Sequence, residues 1–216
     1  MTKKTFLCIL LFSFATAQSE HPFPPLELVT VPTAGTMPRG SYSLESLLAK
    51  EGSIVTKLAV GFTDSFTFGV SFGLQNFIGE DRPSLNKPTP EVQIKYRVFD
   101  ETETYPALTY GLDTQGRGTY IDRQTAVDGQ SISLERYEQK AWGMYLVLSK
   151  NWQVLGNCGV HVGLNKNYWE ISDGDKDINL FIGIDKEINI SFSLLLEYDA
   201  ALNDNDYRLN DLSFGK

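Results

Sequence analysis

Between Phe66 and Leu74 the chain alternates without a break. Phe66, Phe68, Val70, Phe72 and Leu74 are large and apolar, and Thr67, Gly69, Ser71 and Gly73 between them are small or polar. A period of two places the two sets on opposite faces of a β-strand. A strand that covers a soluble core carries charged side chains on its water side. Here that side is almost bare, the pattern of a strand whose bulky face meets lipid while its small face lines a narrow interior.

The alternation recurs. It predicts strands at about 40–48, 54–63, 66–74, 91–99, 105–114, 140–149, 157–168, 178–185 and 190–199, with a tenth beginning at Leu212–Phe214. In the 140–149 strand Trp142, Met144, Leu146 and Leu148 are expected on the outer face. The polar segment 76–90 reads as a loop, and 115–138, rich in Gly, Asp, Arg and Gln, as the longest loop. From the second strand onward short links alternate with long polar ones, as in outer-membrane barrels with tight periplasmic turns and long outer loops. Phe62, Phe66, Tyr110, Trp152, Tyr168, Trp169 and Tyr198 fall near strand ends, where interfacial girdles sit. The predicted fold is all-β, an antiparallel up-and-down transmembrane β-barrel with nine to ten strands visible and the set incomplete. The competing fold is a secreted soluble β-domain with the bulky face turned into a core.

Composition agrees. Mean hydropathy is −0.20, too low for a bundle of membrane helices but natural for alternating strands. Lys3 and Lys4, an apolar run at 6–14 and Ala15-Thr16-Ala17 form a signal-peptide pattern, so residues 1–17 are expected to be cleaved near Ala17. Loss of Lys3 and Lys4 takes the formal charge from −8 to −10, which argues against nucleic acid as a partner. Cys158 is then the only thiol, and no intramolecular disulfide can form. Residues 18–39, with five prolines, read as an extended periplasmic lead-in, and 40–216 as the partial barrel domain.

Candidate chemistry is sparse. Lys57, Lys95, Arg97, Asp113, His161 and Glu197 are expected to face the lumen, where mixed charges pair across a small barrel or set the selectivity of a pore. No Ser, Asp or Glu can be placed beside His161 from spacing within one strand, so no catalytic residue is assigned. Asp173, Asp175 and Asp177 have the spacing of the first EF-hand ligands, but the twelfth position is Ile184 rather than a bidentate Glu. They read as a solvated acidic loop and, with Asp204 and Asp206, as weak candidates for a divalent cation. No cofactor is expected.

The segments Pro32–Gly40, Val60–Phe66, Gly111–Gly116 and Asp173–Asp177 look like those of YjbH-type bacterial outer-membrane proteins. The resemblance covers most of the mature chain and rests on turns and strands, not on catalytic signatures. It implies a barrel in the outer membrane of a Gram-negative cell, some members being linked to exopolysaccharide secretion. It also implies outer-membrane lipid and lipopolysaccharide, the barrel-assembly machinery and polysaccharide-export components as partners. Such barrels end in a strand with a terminal aromatic residue, whereas this sequence ends Ser213-Phe214-Gly215-Lys216, and a longer protein is therefore expected. The function expected is a porin-like or polysaccharide-export-associated channel component without chemistry of its own. The alternative is a non-conducting barrel that acts through its outer loops.

Overall fold

A computed structural model describes residues 25–49, 52–80, 82–127, 130–153, 156–189 and 191–205. The expected signal segment 1–17, the start of the lead-in at 18–24 and the tenth strand at Leu212–Phe214 lie outside these residues. Twelve strands are present, with no helix among the described residues: β1 (Tyr42–Leu48), β2 (Ile54–Thr63), β3 (Phe66–Gln75), β4 (Ser84–Leu85), β5 (Glu91–Phe99), β6 (Ala107–Asp113), β7 (Arg117–Val127), β8 (Gln130–Gln139), β9 (Gly143–Gln153), β10 (Asn157–Lys166), β11 (Asn179–Asn189) and β12 (Phe192–Asp199). All pairings are antiparallel, in the order β1-β2-β3-β5-β6-β9-β10-β11-β12, with short β4 added to β3. Among the described residues β1 and β12 end this path without pairing to each other.

The stretch predicted as the longest loop is not a loop. Residues 117–139 hold β7 and β8, which pair with each other as a separate two-stranded sheet. Its described apolar side chains use both faces: Ile121 and Leu134 are buried on the face that carries Arg136, and Tyr137 is buried on the other, where Tyr120 packs edge-on against it with ring centroids 5.0 Å apart. The strands expected at 91–99 and 54–63 appear with those bounds as β5 and β2.

The large sheet has its apolar side out. Leu44, Leu58, Phe72, Leu146, Leu164 and Leu196 are all exposed, while Thr67, Ser71, Lys95, Thr109, His161 and Asn165 on the other face are buried. Burial of the inner face comes largely from residues 25–39. This segment was expected to run up to the sheet as an extended lead-in, but Val31, Thr33, Ala34, Thr36 and Met37 are each at most 2% exposed. It touches β2, β3, β5, β6, β9, β11 and β12, which a sheet can manage only by curling around it. Inner-face glycines make room for this. A Cβ on Gly61 would come within 2.1 Å of the Pro38 carbonyl oxygen, and one on Gly183 within 2.7 Å of the Leu28 side chain.

Trp142 also departs from the sequence reading. It is 6% exposed and faces inward. Gly143, at φ +69°, breaks the alternation at the first residue of β9, so the parity counted back from Met144 fails at Trp142. The indole packs against Phe181 at 4.9 Å in a core that also holds Val31, Ala34, Ala107, Tyr145 and Val147. Phe181→Ala should therefore cost about 3–5 kcal/mol through the cavity it leaves. Urea midpoints in detergent micelles should fall by less than half as much for Leu180→Ala, whose side chain lies on the exposed face.

Candidate functional site

The interior is polar, and it is organised around a reverse turn of the lead-in. Glu27 bridges Pro32 across this turn, and the Leu28 N–H donates to the Val31 carbonyl at 2.9 Å. At the tip three successive N–H groups, of Val29, Thr30 and Val31, converge on Oε1 of Glu197 at 2.8, 2.9 and 2.9 Å. The Thr30 hydroxyl donates to the other carboxylate oxygen at 2.8 Å. Consecutive N–H groups of this kind form a concave anion seat, here filled by the protein's own side chain. On the opposite wall Lys57 pairs with Glu27 at 2.7 Å and with Asp113 at 3.3 Å. Lys95 donates to the Leu26 carbonyl, and the indole N–H of Trp142 donates to the Thr30 carbonyl at 2.9 Å. The turn is thus held by charged or polar groups of β2, β5 and β12. A cavity of about 290 Å³ remains beside it, bordered by Glu45, Lys57, Asp113, Arg117 and Trp142.

Nearer the short links the lead-in is pinned by hydroxyls. Thr109 donates to the Ala34 carbonyl at 2.9 Å, Thr67 accepts from the Met37 N–H at 2.9 Å, and Ser149 accepts from the Ala34 N–H at 2.8 Å. Ser149 lies directly opposite His161 across the β9–β10 ladder, 2.6 Å from Nδ1. His161 Nε2 is 2.8 Å from Oδ1 of Asp185 on β11. A carboxylate can only accept, so Nε2 carries the hydrogen; in the neutral ring Nδ1 then accepts the Ser149 hydroxyl. All three residues border a cavity of about 590 Å³.

The long-link end is closed by a second charged cluster. Asp173 is buried between Arg136 and Lys140, at 2.5 and 2.6 Å, and Arg136 also meets Asp204 at 2.6 Å. Burial opposes the charge on Arg136, but Asp204 and Asp173 outweigh it and hold the guanidinium above its ordinary value. Glu170 accepts from the N–H groups of Tyr137 and Ala141 and from Asn167, at 2.6, 2.7 and 2.6 Å. Burial nonetheless raises its carboxyl above the usual range. These contacts seat the β7–β8 hairpin on the end of the large sheet.

The acidic loop is therefore not a set of free ligands. Asp173 is neutralised by two cations, the Asp175 carboxylate accepts the Asp177 N–H at 3.2 Å, and Asp206 lies outside the described residues. Among the described residues no group of three or more His, Cys, Asp or Glu side chains could hold a metal ion. Of the six charged or titratable positions expected to face the interior, Lys57, Lys95, Asp113 and Glu197 gather around the turn of the lead-in. His161 lies farther along, by Ala34 of that segment. Arg97 sits at the short-link end, donating to the Asp64 carbonyl at 2.9 Å. Sequence reasoning did not find Ser149 and Asp185, because their approach to His161 depends on the pairing of three strands.

No family model, curated protein or solved structure matches the chain. The YjbH-type resemblance rests on its turn and strand motifs alone.

Two outcomes follow from the paired charges. Asp173→Asn leaves Arg136 and Lys140 without their shared anion, and should cost about 3 kcal/mol. Limited proteolysis should then cut the β7–β8 hairpin before the large sheet. At the other end, Glu101 is held below its ordinary value. Burial opposes this, but the Asn151 N–H, the Asn151 side chain and Lys150 outweigh it. A depressed carboxyl contributes stability above its unfolded value of 4.5 that is lost as pH falls through the folded value. Hydrogen exchange around Asn151, corrected for intrinsic rates, should accelerate as pH drops below about 4.5, and Glu101→Gln should abolish that dependence.

Proposed function

We propose that this protein inserts into a bilayer as an outer-membrane-type β-barrel, and that it is a channel component closed in the described state by its own lead-in. The observation that carries the membrane reading is the inversion of the large sheet. A row of Leu, Phe, Val and Tyr side chains is exposed on one face, and the other face buries Lys, Asp, His, Asn, Ser and Thr. In water such a belt would be a very large apolar patch, whereas in hydrocarbon it is the required outer surface. Exposed aromatics at strand ends fit interfacial girdles: Phe62 contacts Phe66 and Phe68, and Tyr168 contacts Trp169. Every interior charge discussed above has a polar partner, which a low-dielectric surrounding demands.

The closed state follows from the turn at 27–32, which occupies the space a conduction path needs. A non-conducting structural barrel is the second reading, and the same plug favours it if the lead-in never leaves. Export of polysaccharide and contacts with lipopolysaccharide or assembly factors remain proposals that rest on the family resemblance.

Reconstitution separates these readings. The mature chain should require detergent or lipid to stay monomeric and folded; a folded monomer in plain buffer would overturn the membrane reading. In planar bilayers the intact protein should open rarely, and deletion of residues 26–37 should raise conductance at least tenfold. A deletion variant that inserts, keeps its β-sheet circular dichroism and stays silent would leave the non-conducting barrel.

A further inference from the structure

We propose that Ser149, His161 and Asp185 form a nucleophilic site that cleaves short-chain esters. The trio is built on three adjacent strands, Ser149 on β9, His161 on β10 and Asp185 on β11, so its geometry is set by ladder hydrogen bonds. Distances of 2.6 Å from hydroxyl to ring and 2.8 Å from ring to carboxylate make an unbroken proton path. The Ala34 N–H already fills the acceptor side of the Ser149 oxygen at 2.8 Å, which leaves the hydroxyl hydrogen for Nδ1. Relative to the familiar serine-protease arrangement the two ring nitrogens exchange roles: Nδ1 serves the hydroxyl and Nε2 the carboxylate. The proton bookkeeping is the same.

The anchoring of the lead-in does not by itself require the trio, since Thr109 and Thr67 hold the same segment through Ala34 and Met37. A structural hydroxyl would also not need a cavity. Here Ser149, His161 and Asp185 border about 590 Å³ together with Arg97, Asn151 and Asn157. Ser149 pairs across the ladder with Ala107 and faces Ala34, both buried. Two such small neighbours leave the acyl side of Oγ uncrowded, which suits a short acyl group. The amides of Asn151 and Asn157 suit a polar alcohol as the other half of the ester.

In the reaction Ser149 Oγ adds to the acyl carbon while its proton passes to His161 Nδ1. The developing oxyanion forms next to Oγ, and the Ala34 N–H, bonded to Oγ at rest, shifts to it as the charge develops. Collapse breaks the acyl–oxygen bond, and the imidazolium returns its proton to the leaving alcohol. Water then adds to the acyl-enzyme with His161 as base, releasing the acid and restoring Ser149. Asp185 orients the ring and stabilises its charged form. The site does not depend on the membrane reading, because it lies wholly within the curled sheet.

The test uses the full chain, purified and folded in detergent. A fluorophosphonate probe should form an adduct that peptide mapping places on Ser149, and p-nitrophenyl acetate should be turned over with a burst. Mapping on the unaltered chain needs no variant. Loss of the general base in His161→Gln should slow labelling by about 10²–10⁴-fold; Asp185→Asn should slow it less and shift its pH profile. Circular dichroism and heat-modified gel mobility report whether each variant folds. Absence of a Ser149 adduct on folded protein, or labelling unchanged in folded His161→Gln, overturns the proposal and leaves the trio as a tether for Ala34.

Discussion

The carboxylate of Glu197 receives three backbone N–H groups and a hydroxyl from residues 29–31, and much of the interior follows from that contact. A sheet whose inner face carries Lys, Asp, Glu, His and Asn cannot close over empty apolar space, since each buried polar group must find a partner. The turn at 27–32 is that partner. With Leu26 just before it, it offers backbone N–H groups to Glu197, a carboxylate to Lys57 and a carbonyl to Lys95, which matches the sign of each wall in turn. Removing one of these strips a buried charge of a partner, so the lead-in and the inner face specify each other.

The strands were legible because their period is strict. The bounds of β2 and β5, and the facing of Lys57, Lys95, Asp113 and His161, follow from counting by two. The count fails in two places for different physical reasons. At Gly143 a left-handed backbone resets the parity, so Trp142 turns into the core. In β7 and β8 polar side chains mask the alternation: among the described side chains only Ile121, Leu134 and Tyr137 are apolar and buried. The Asp128-Gly129 dipeptide between those strands is a strong hairpin signal and could have found them. The prolines of the lead-in rightly exclude a ladder strand, but they do not exclude burial. A segment barred from pairing can still be satisfied by side chains reaching in from the wall.

The interior clusters were legible only in part. Which residues point inward is a property of one strand. Which of them meet depends on register, and a shift of one residue would turn a strand's inner set outward. The meeting of Ser149 with His161 is a direct cross-strand pair, and Asp185 lies on the diagonal through Gly159. Asp173 illustrates the converse case. Its spacing suggested a cation ligand, but the hairpin that supplies Arg136 was hidden, and with it the reason the carboxylate is already occupied.

The seat on Glu197 also orders events in time. Residues 29–31 and Glu197 are separated by 166 to 168 positions, nearly the whole described chain, whereas β2–β3 and β11–β12 close over two-residue links. Local hairpins form early, and contacts of long sequence separation form late because loop closure must come first. The first described residues must therefore wait, solvated and extended, until β12, the last of the described strands, arrives. The lead-in is made early and docks late.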